Sequence, residues 1–85
     1  MIESQIDEFG TTRWFLNGKL HREDGPAIEH SSGSLWWYKN GKLHRVDGPA
    51  IEWFTGDKEW WVYDKQCTEE EFILLQFSNG ITINE

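Results

Sequence analysis

Thirteen residues are written twice in this chain. Asn17 to Glu29 reads NGKLHREDGPAIE and Asn40 to Glu52 reads NGKLHRVDGPAIE, identical at twelve of thirteen positions and offset by 23 residues. Trp14 and Trp37 precede the two copies at the same distance. A fixed period of this size marks a repeat architecture, in which one supersecondary unit stacks on the next to bury a face that it could not bury alone. The expectation moves from an enzyme with a pocket to a protein that works through a continuous surface.

The 85 residues allow one domain, and a chain this short buries only about 60–65% of its unfolded surface. Six tryptophans, two tyrosines and five phenylalanines compensate for the thin core, since each buried aromatic removes roughly 150–250 Å² from water. The single cysteine, Cys67, has no internal disulfide partner, which suits a reducing compartment. No basic, apolar leader opens the sequence, and no apolar run approaches the roughly 18 residues of a membrane span. A protein of the cytoplasm is expected.

The net charge of −7 is unevenly placed. All eight basic residues fall between Arg13 and Lys65, matched there by eight acidic ones, so the repeat body is neutral. The excess comes from Glu3, Asp7 and Glu8 at one end and Glu69, Glu70, Glu71 and Glu85 at the other. Direct nucleic-acid binding, which depends on releasing phosphate counterions, is not expected from this distribution, nor is attraction to anionic lipid. The acidic ends serve solubility, or engage a basic protein, including one whose usual ligand is nucleic acid.

Between the copies the chain reads as strands: Trp14–Leu16, Leu35–Tyr38, Ile51–Phe54 and Trp60–Tyr63 are rich in aromatic and β-branched residues. Asn-Gly at 17–18 and 40–41 favours positive φ, as tight turns need. Asp-Gly-Pro at 24–26 and 47–49 makes a second bend, and Ser-Ser-Gly at 31–33 and Thr-Gly-Asp at 55–57 close the units. The fold expected is mainly β, an antiparallel meander of stacked hairpin repeats. One domain over 1–85 divides into a leading strand (1–12), repeat 1 (13–35), repeat 2 (36–59), a truncated repeat 3 (60–67), and a helical cap and tail (68–85). Trp60-Trp61 echoes Trp36-Trp37 at a spacing of 24. Thr68 followed by Glu71 forms a capping box, with three acids in the first turn, so 68–77 is expected as a short helix. Ser78-Asn79-Gly80 stops it, and Ile81–Ile83 is read as a last strand.

The order of aromatic, Asn-Gly-Lys, Leu-His and a later Gly, on a 23-residue period over residues 14–64, resembles the MORN repeat and its variants in bacterial and phage proteins. The resemblance implies an open antiparallel sheet of stacked hairpins and a non-enzymatic interaction role: scaffolding, lipid contact in some members, antitoxin-like behaviour in others. The family's His-Gly-x-Gly step is replaced here by His-Arg-x-Asp-Gly-Pro-Ala at 21–27 and 44–50, a form associated with short phage-type proteins. That departure, like the neutral body, argues against lipid contact.

Each repeated loop gathers imidazole, guanidinium and carboxylate: His21, Arg22 and Asp24, then His44, Arg45 and Asp47. A catalytic reading lacks a nucleophile and requires a duplicated centre. A ligand reading makes Arg22, Arg45, His21 and His44 anion contacts beside a stacking aromatic. The bland reading pairs Arg with Asp inside the loop and ties His to backbone. His21, His30, His44 and Cys67 lack metal-ligand spacing, and no cofactor is expected. Cys67 lies beside a helix N-terminus, which can lower a thiol pKa, though a small buried filler is the commoner role.

Strand neighbours point to opposite faces, so Trp36 and Trp37 cannot share one, nor can Trp60 and Trp61. A single sheet therefore carries aromatics on both faces, and a helix covers only part of one. The partner-binding candidates are Trp36, Trp37, Trp53, Trp60 and Trp61 with the acidic flank Glu69, Glu70 and Glu71. The function expected is a non-enzymatic protein-binding repeat module, of the phage type that inhibits a host defence or nucleic-acid enzyme. The alternatives are a small-molecule or nucleotide sponge using Arg22 and Arg45, an antitoxin-like role, and a homodimer that uses the aromatic surface itself.

Overall fold

The computed structural model describes residues 2–76. The expected stop at 78–80, the last strand at 81–83 and Phe77 lie outside the described residues. The chain runs β1 (Ile2–Ile6), β2 (Thr12–Leu16), β3 (Lys19–Leu20), β4 (Ile28–Glu29), β5 (Leu35–Trp36), β6 (Tyr38–Lys39), β7 (Lys42–Leu43), β8 (Ile51–Glu52), β9 (Lys58–Val62), β10 (Lys65–Cys67) and α1 (Glu69–Gln76). All strand pairs are antiparallel, in the order β1-β2-β4-β5-β8-β9-β10, with β3 against β2 and β6 against β7. The mainly β meander with one short C-terminal helix is the observed fold.

The sheet repeats three times, and the period is 23 throughout. Glycines 10, 33 and 56 sit at positive φ in the turns before β2, β5 and β9. In each turn the same two backbone bonds recur, such as Asp7 N–H to Thr11 O at 3.0 Å and Trp53 N–H to Asp57 O at 2.8 Å. The opposite turns are two-residue hairpins with positive φ at both positions: Asn17-Gly18, Asn40-Gly41 and Tyr63-Asp64. That double positive φ matches the right-handed twist of the flanking strands.

Trp60, two residues before its strand ends, therefore occupies the place of Trp37 and Trp14. The spacing of 24 expected from the Trp-Trp pair is corrected to 23; Trp60-Trp61 aligns with Trp37-Tyr38, and the third unit is a complete hairpin. The match was hidden because Tyr63-Asp64 replaces Asn-Gly. Tyr63 accepts a conformation that a bulky residue rarely adopts, and Asp64 holds the turn by receiving the Leu43 N–H on Oδ1 at 2.8 Å. Ile51–Phe54 was expected as one strand, but pairing ends at Glu52 and Trp53 opens the next turn.

Two side-chain ties join each unit to its neighbour. Thr11 Oγ1 accepts the Ser31 N–H at 3.1 Å, and Ser34 Oγ, one period later, accepts the Phe54 N–H at 2.9 Å. On the other side of the sheet, His21 Nδ1 accepts the Asn40 N–H at 2.9 Å and His44 Nδ1 the Tyr63 N–H at 3.1 Å. Thr11, Ser34, His21 and His44 are the buried polar residues among those described, each satisfied by a backbone donor that burial would otherwise leave costly. The third His position is Cys67, where α1 follows in place of a further hairpin among the described residues.

The capping box forms as expected: Glu71 N–H bonds Thr68 Oγ1 at 3.0 Å, and Thr68 N–H bonds Glu71 Oε1 at 2.8 Å. α1 packs on β9 and β10 with Phe72 buried. The other buried apolar residues are Ala27, Ile28, Ala50 and Ile51, and no large side chain is fully buried among the described residues. The body measures 48 × 32 × 18 Å. The described strands form one eight-stranded sheet and the two-stranded β6–β7 ladder that continues from β5.

Candidate functional site

Residues directly opposite in the register share a face. One face carries Trp14, Trp37 and Trp60, together with Glu29 and Glu52; the other carries Arg13, Ile28, Trp36, Ile51 and Glu59.

On the first face the repeated loop builds a latch. The Arg22 guanidinium lies 3.9 Å over the Trp14 ring, and Arg45 lies 3.9 Å over Trp37. Arg22 donates from Nε to Asp24 at 3.1 Å and from Nη1 to the Pro26 carbonyl and Glu29, both at 3.2 Å. Arg45 repeats the set with Asp47 at 2.8 Å, Pro49 O at 3.0 Å and Glu52 at 3.2 Å. A Cβ at Gly25 or Gly48 would stand 3.1 or 2.9 Å from the guanidinium carbon, so a larger residue there would push the arginine end from its place. Each arginine is thus sandwiched between a tryptophan and a glycine. The Arg–Asp pairing and the His–backbone tie of the bland reading are what the loops contain.

A groove of about 620 Å³ runs between the latches, lined by Arg22, Trp37, Lys39, His44, Arg45 and Tyr63 among others. His44 on its wall and His21 in the first loop have limited chemistry. Both Nδ1 atoms accept backbone N–H groups, and His21 Nε2 meets Glu23 at 2.7 Å. That bond, then the Lys39 charge, holds the Glu23 carboxyl below its usual range. Val46 replaces Glu23 in the second copy, and His44 stacks on Tyr63 at 3.8 Å instead. Burial, then Lys39, lowers the His44 pKa. Trp37, expected as a partner contact, lies beneath Arg45.

The opposite face holds the inequalities. Positions 13, 36 and 59 sit beside turn positions 7, 30 and 53, and the same site is filled by three chemistries. Arg13 pairs with Asp7 at 3.0 Å, Trp36 meets the His30 ring edge-on at 5.1 Å, and Glu59 accepts the Trp53 indole N–H at 2.8 Å. Glu59 also accepts the Trp61 indole N–H at 2.9 Å. Trp36 further meets Trp53 at 5.5 Å and stacks with Tyr38 at 6.5 Å. His30, Trp36, Tyr38 and Trp53 form one aromatic tract, which Trp61 joins through Glu59, and all six tryptophans of the chain stay half-buried.

The indoles of this tract differ in how their N–H groups are satisfied. Those of Trp53 and Trp61 are held by Glu59, whereas the buried Trp36 Nε1 and His30 Nε2 have no hydrogen-bond partner among the described residues. Burial, then the Arg13 charge, lowers the His30 pKa. Glu59→Ala should therefore cost about 1–3 kcal/mol, because it strands two indole donors, while Trp36→Phe should cost less than about 1 kcal/mol, because it removes a donor already unpaired. Chemical denaturation of the two variants checks the order.

At the C-terminal end Thr68 takes the third arginine position, and α1 takes over the cover of the sheet beside Trp60. Glu71 is occupied by its capping bonds, while Glu69 and Glu70 are exposed. Cys67 Sγ–H reaches the Trp60 carbonyl at 3.6 Å. Burial, then Glu71, raises its pKa, opposite to the lowering that a helix N-terminus alone would give. Glu59, Tyr63, Thr11 and Ser34 were missed as structural partners from sequence; extending the 23-residue alignment outward from the identical copies would have paired each with its counterparts.

No described helix is long and apolar enough to cross a membrane. No family model matches the chain, and neither does any curated protein or any solved structure.

Proposed function

We propose that this chain is a non-catalytic repeat module that binds a protein through its aromatic faces. The observation that carries this reading is the half-burial of all six tryptophans in a sheet with no large side chain fully buried among the described residues. Large rings held rigid by their neighbours, with polar atoms at their edges, are the composition of binding hot spots. The tract Trp36, Trp53 and Trp61 is the centre of the surface. The alternating face contributes Trp60 near the acidic flank, and Trp37 only as the floor of the Arg45 latch. A partner with a basic surface fits the ends, where Glu3, Glu8, Glu69 and Glu70 are exposed. An inhibitor of a host defence or nucleic-acid enzyme is such a binder, and the phage-type form of the repeated motif supports that choice. Saturated Nδ1 lone pairs on His21 and His44 and internally paired arginines favour a structural role for the loops.

The test is calorimetry against the protein that co-purifies stoichiometrically from host lysate. Trp53→Ala and Trp61→Ala should each weaken binding roughly 30-fold or more, the hot-spot range, with β-sheet circular dichroism retained. Glu69→Lys with Glu70→Lys should weaken it in a salt-dependent way. Unchanged affinity in all these variants would sink the proposal.

A further inference from the structure

The geometry points to β1 as the edge through which two copies of this chain pair into one continuous sheet. β1 is the end of the strand order, and all five of its residues are exposed. Edges of this kind are normally blunted by lysine, proline or a bulge; Ile2-Glu3-Ser4-Gln5-Ile6 has none of these and keeps an unbroken register with β2. The far edge differs, because α1 packs on β10 there.

The backbone groups of β1 can be assigned a direction. Asp7 N–H bonds Thr11 O, and antiparallel pairs alternate between bonded and non-bonded. Glu3 and Gln5 therefore turn their N–H and C=O groups towards β2, and those of Ile2, Ser4 and Ile6 point outward. The Trp14 N–H, directed to Ala27 O on the other side of β2, agrees with Ser4–Trp14 being a non-bonded pair.

An antiparallel second copy centred on Ser4 uses every outward group. Ser4 pairs with Ser4 of the second copy, and Ile2 pairs with its Ile6 at both ends, giving six backbone hydrogen bonds by strict alternation. Glu3 falls opposite Gln5, so no like charges face each other. Ile2 and Ile6, 40% and 70% exposed, meet across the junction on the Trp14 face.

Neighbouring registers are worse. Centring on Glu3 sets two Glu3 carboxylates face to face. Centring on Gln5 sets Glu3 against Asp7 and Ile2 against Glu8. Directly opposed like charges destabilise a sheet pair, so charge selects the Ser4 centre. Main-chain bonds supply the affinity in strand addition of this type, and a five-residue edge belongs to the small-interface class. The inference is independent of the heterologous partner proposed above, since it rests on the edge and not on the aromatic tract.

Sedimentation of the intact chain from about 1 µM to about 1 mM should show a monomer–dimer equilibrium with Kd in the micromolar range. Ser4→Pro removes only an outward N–H, which an edge strand tolerates, and should raise Kd at least about tenfold with the fold unchanged. Gln5→Glu creates two Glu–Glu oppositions and should raise Kd about tenfold at low salt. It leaves β1 beside Arg13 and stays informative if the proline variant unfolds. In a Cys67→Ser background, Ser4→Cys should oxidise to a crosslinked dimer and Gln5→Cys should not. A chain monomeric to about 1 mM, a dimer indifferent to both Ser4→Pro and Gln5→Glu, or the reverse crosslinking pattern would each overturn the proposal.

Discussion

Arg45→Ala should lower the unfolding free energy by about 2–4 kcal/mol, which for a single-sheet domain removes much of the total. Three losses add. The guanidinium leaves the Trp37 ring, a partly desolvated cation–π contact of about 1–2 kcal/mol. Its bonds to the Pro49 carbonyl and the Glu52 carboxylate vanish, and the long aliphatic stem no longer covers the indole. The Asp47 pair adds little, since that carboxylate is 80% exposed. Arg45→Lys should recover only part of the loss, because an ammonium cannot match the planar fork between ring and glycine. Urea denaturation distinguishes the three chains. If Arg45→Ala instead left stability untouched and abolished uptake of an anionic nucleotide, the latch would be a ligand site and the sponge alternative would stand.

His44→Ala should cost about 2–4 kcal/mol by removing a ring that is 9% exposed and stranding the Tyr63 N–H. The same residue sets an acid limit on stability. Its pKa in the folded protein is depressed below the ordinary value of about 6.5, so the unfolded chain binds the proton first. The contribution of neutral His44 is complete above that ordinary value and is lost as pH falls towards the depressed one. Protonation places hydrogen on Nδ1, the atom that receives the Tyr63 N–H. Asp7 and Glu23, whose pKa values are also lowered, act in the same direction in the carboxylate range. Thermal midpoints followed from pH 7 to pH 4 should fall, and the upper part of that fall should shrink in His44→Ala, leaving the share of His30, whose pKa burial also lowers.

The doubled segment disclosed the period, the Asn-Gly turns and the single-sheet meander, because these depend on local backbone preference and on identical residues. Faces were legible too, since alternation alone separates Trp36 from Trp37. The helix cap at Thr68 and Glu71 could be read for the same local reason. What sequence did not disclose is distributed across units. The 23-residue offset sets Arg13, Trp36 and Glu59 in register, but with no shared residue type it takes the geometry, with Asp7, His30 and Trp53 alongside, to show one site filled by an ion pair, a ring contact and a charged hydrogen bond. The third hairpin was mis-spaced for a related reason, as Tyr63-Asp64 adopts a turn that composition assigns to Asn-Gly. Arg22 and Arg45 are the same residue type whether they contact a ligand or latch a loop, and only the distances to Trp14, Trp37 and the two glycines place their guanidinium groups in the latch.

The ties between units run over 19 to 21 positions, from His21 to Asn40, Thr11 to Ser31, and Leu43 to Asp64. Each therefore reaches the adjacent hairpin and no farther, which makes the molecule closer to a zip than to a closed core. Cooperativity in such a body passes from neighbour to neighbour, and an end can open while the middle stays shut. The central hairpin, tied on both sides, should be the slowest part to exchange its amide protons. The outer two set how quickly the rest follows.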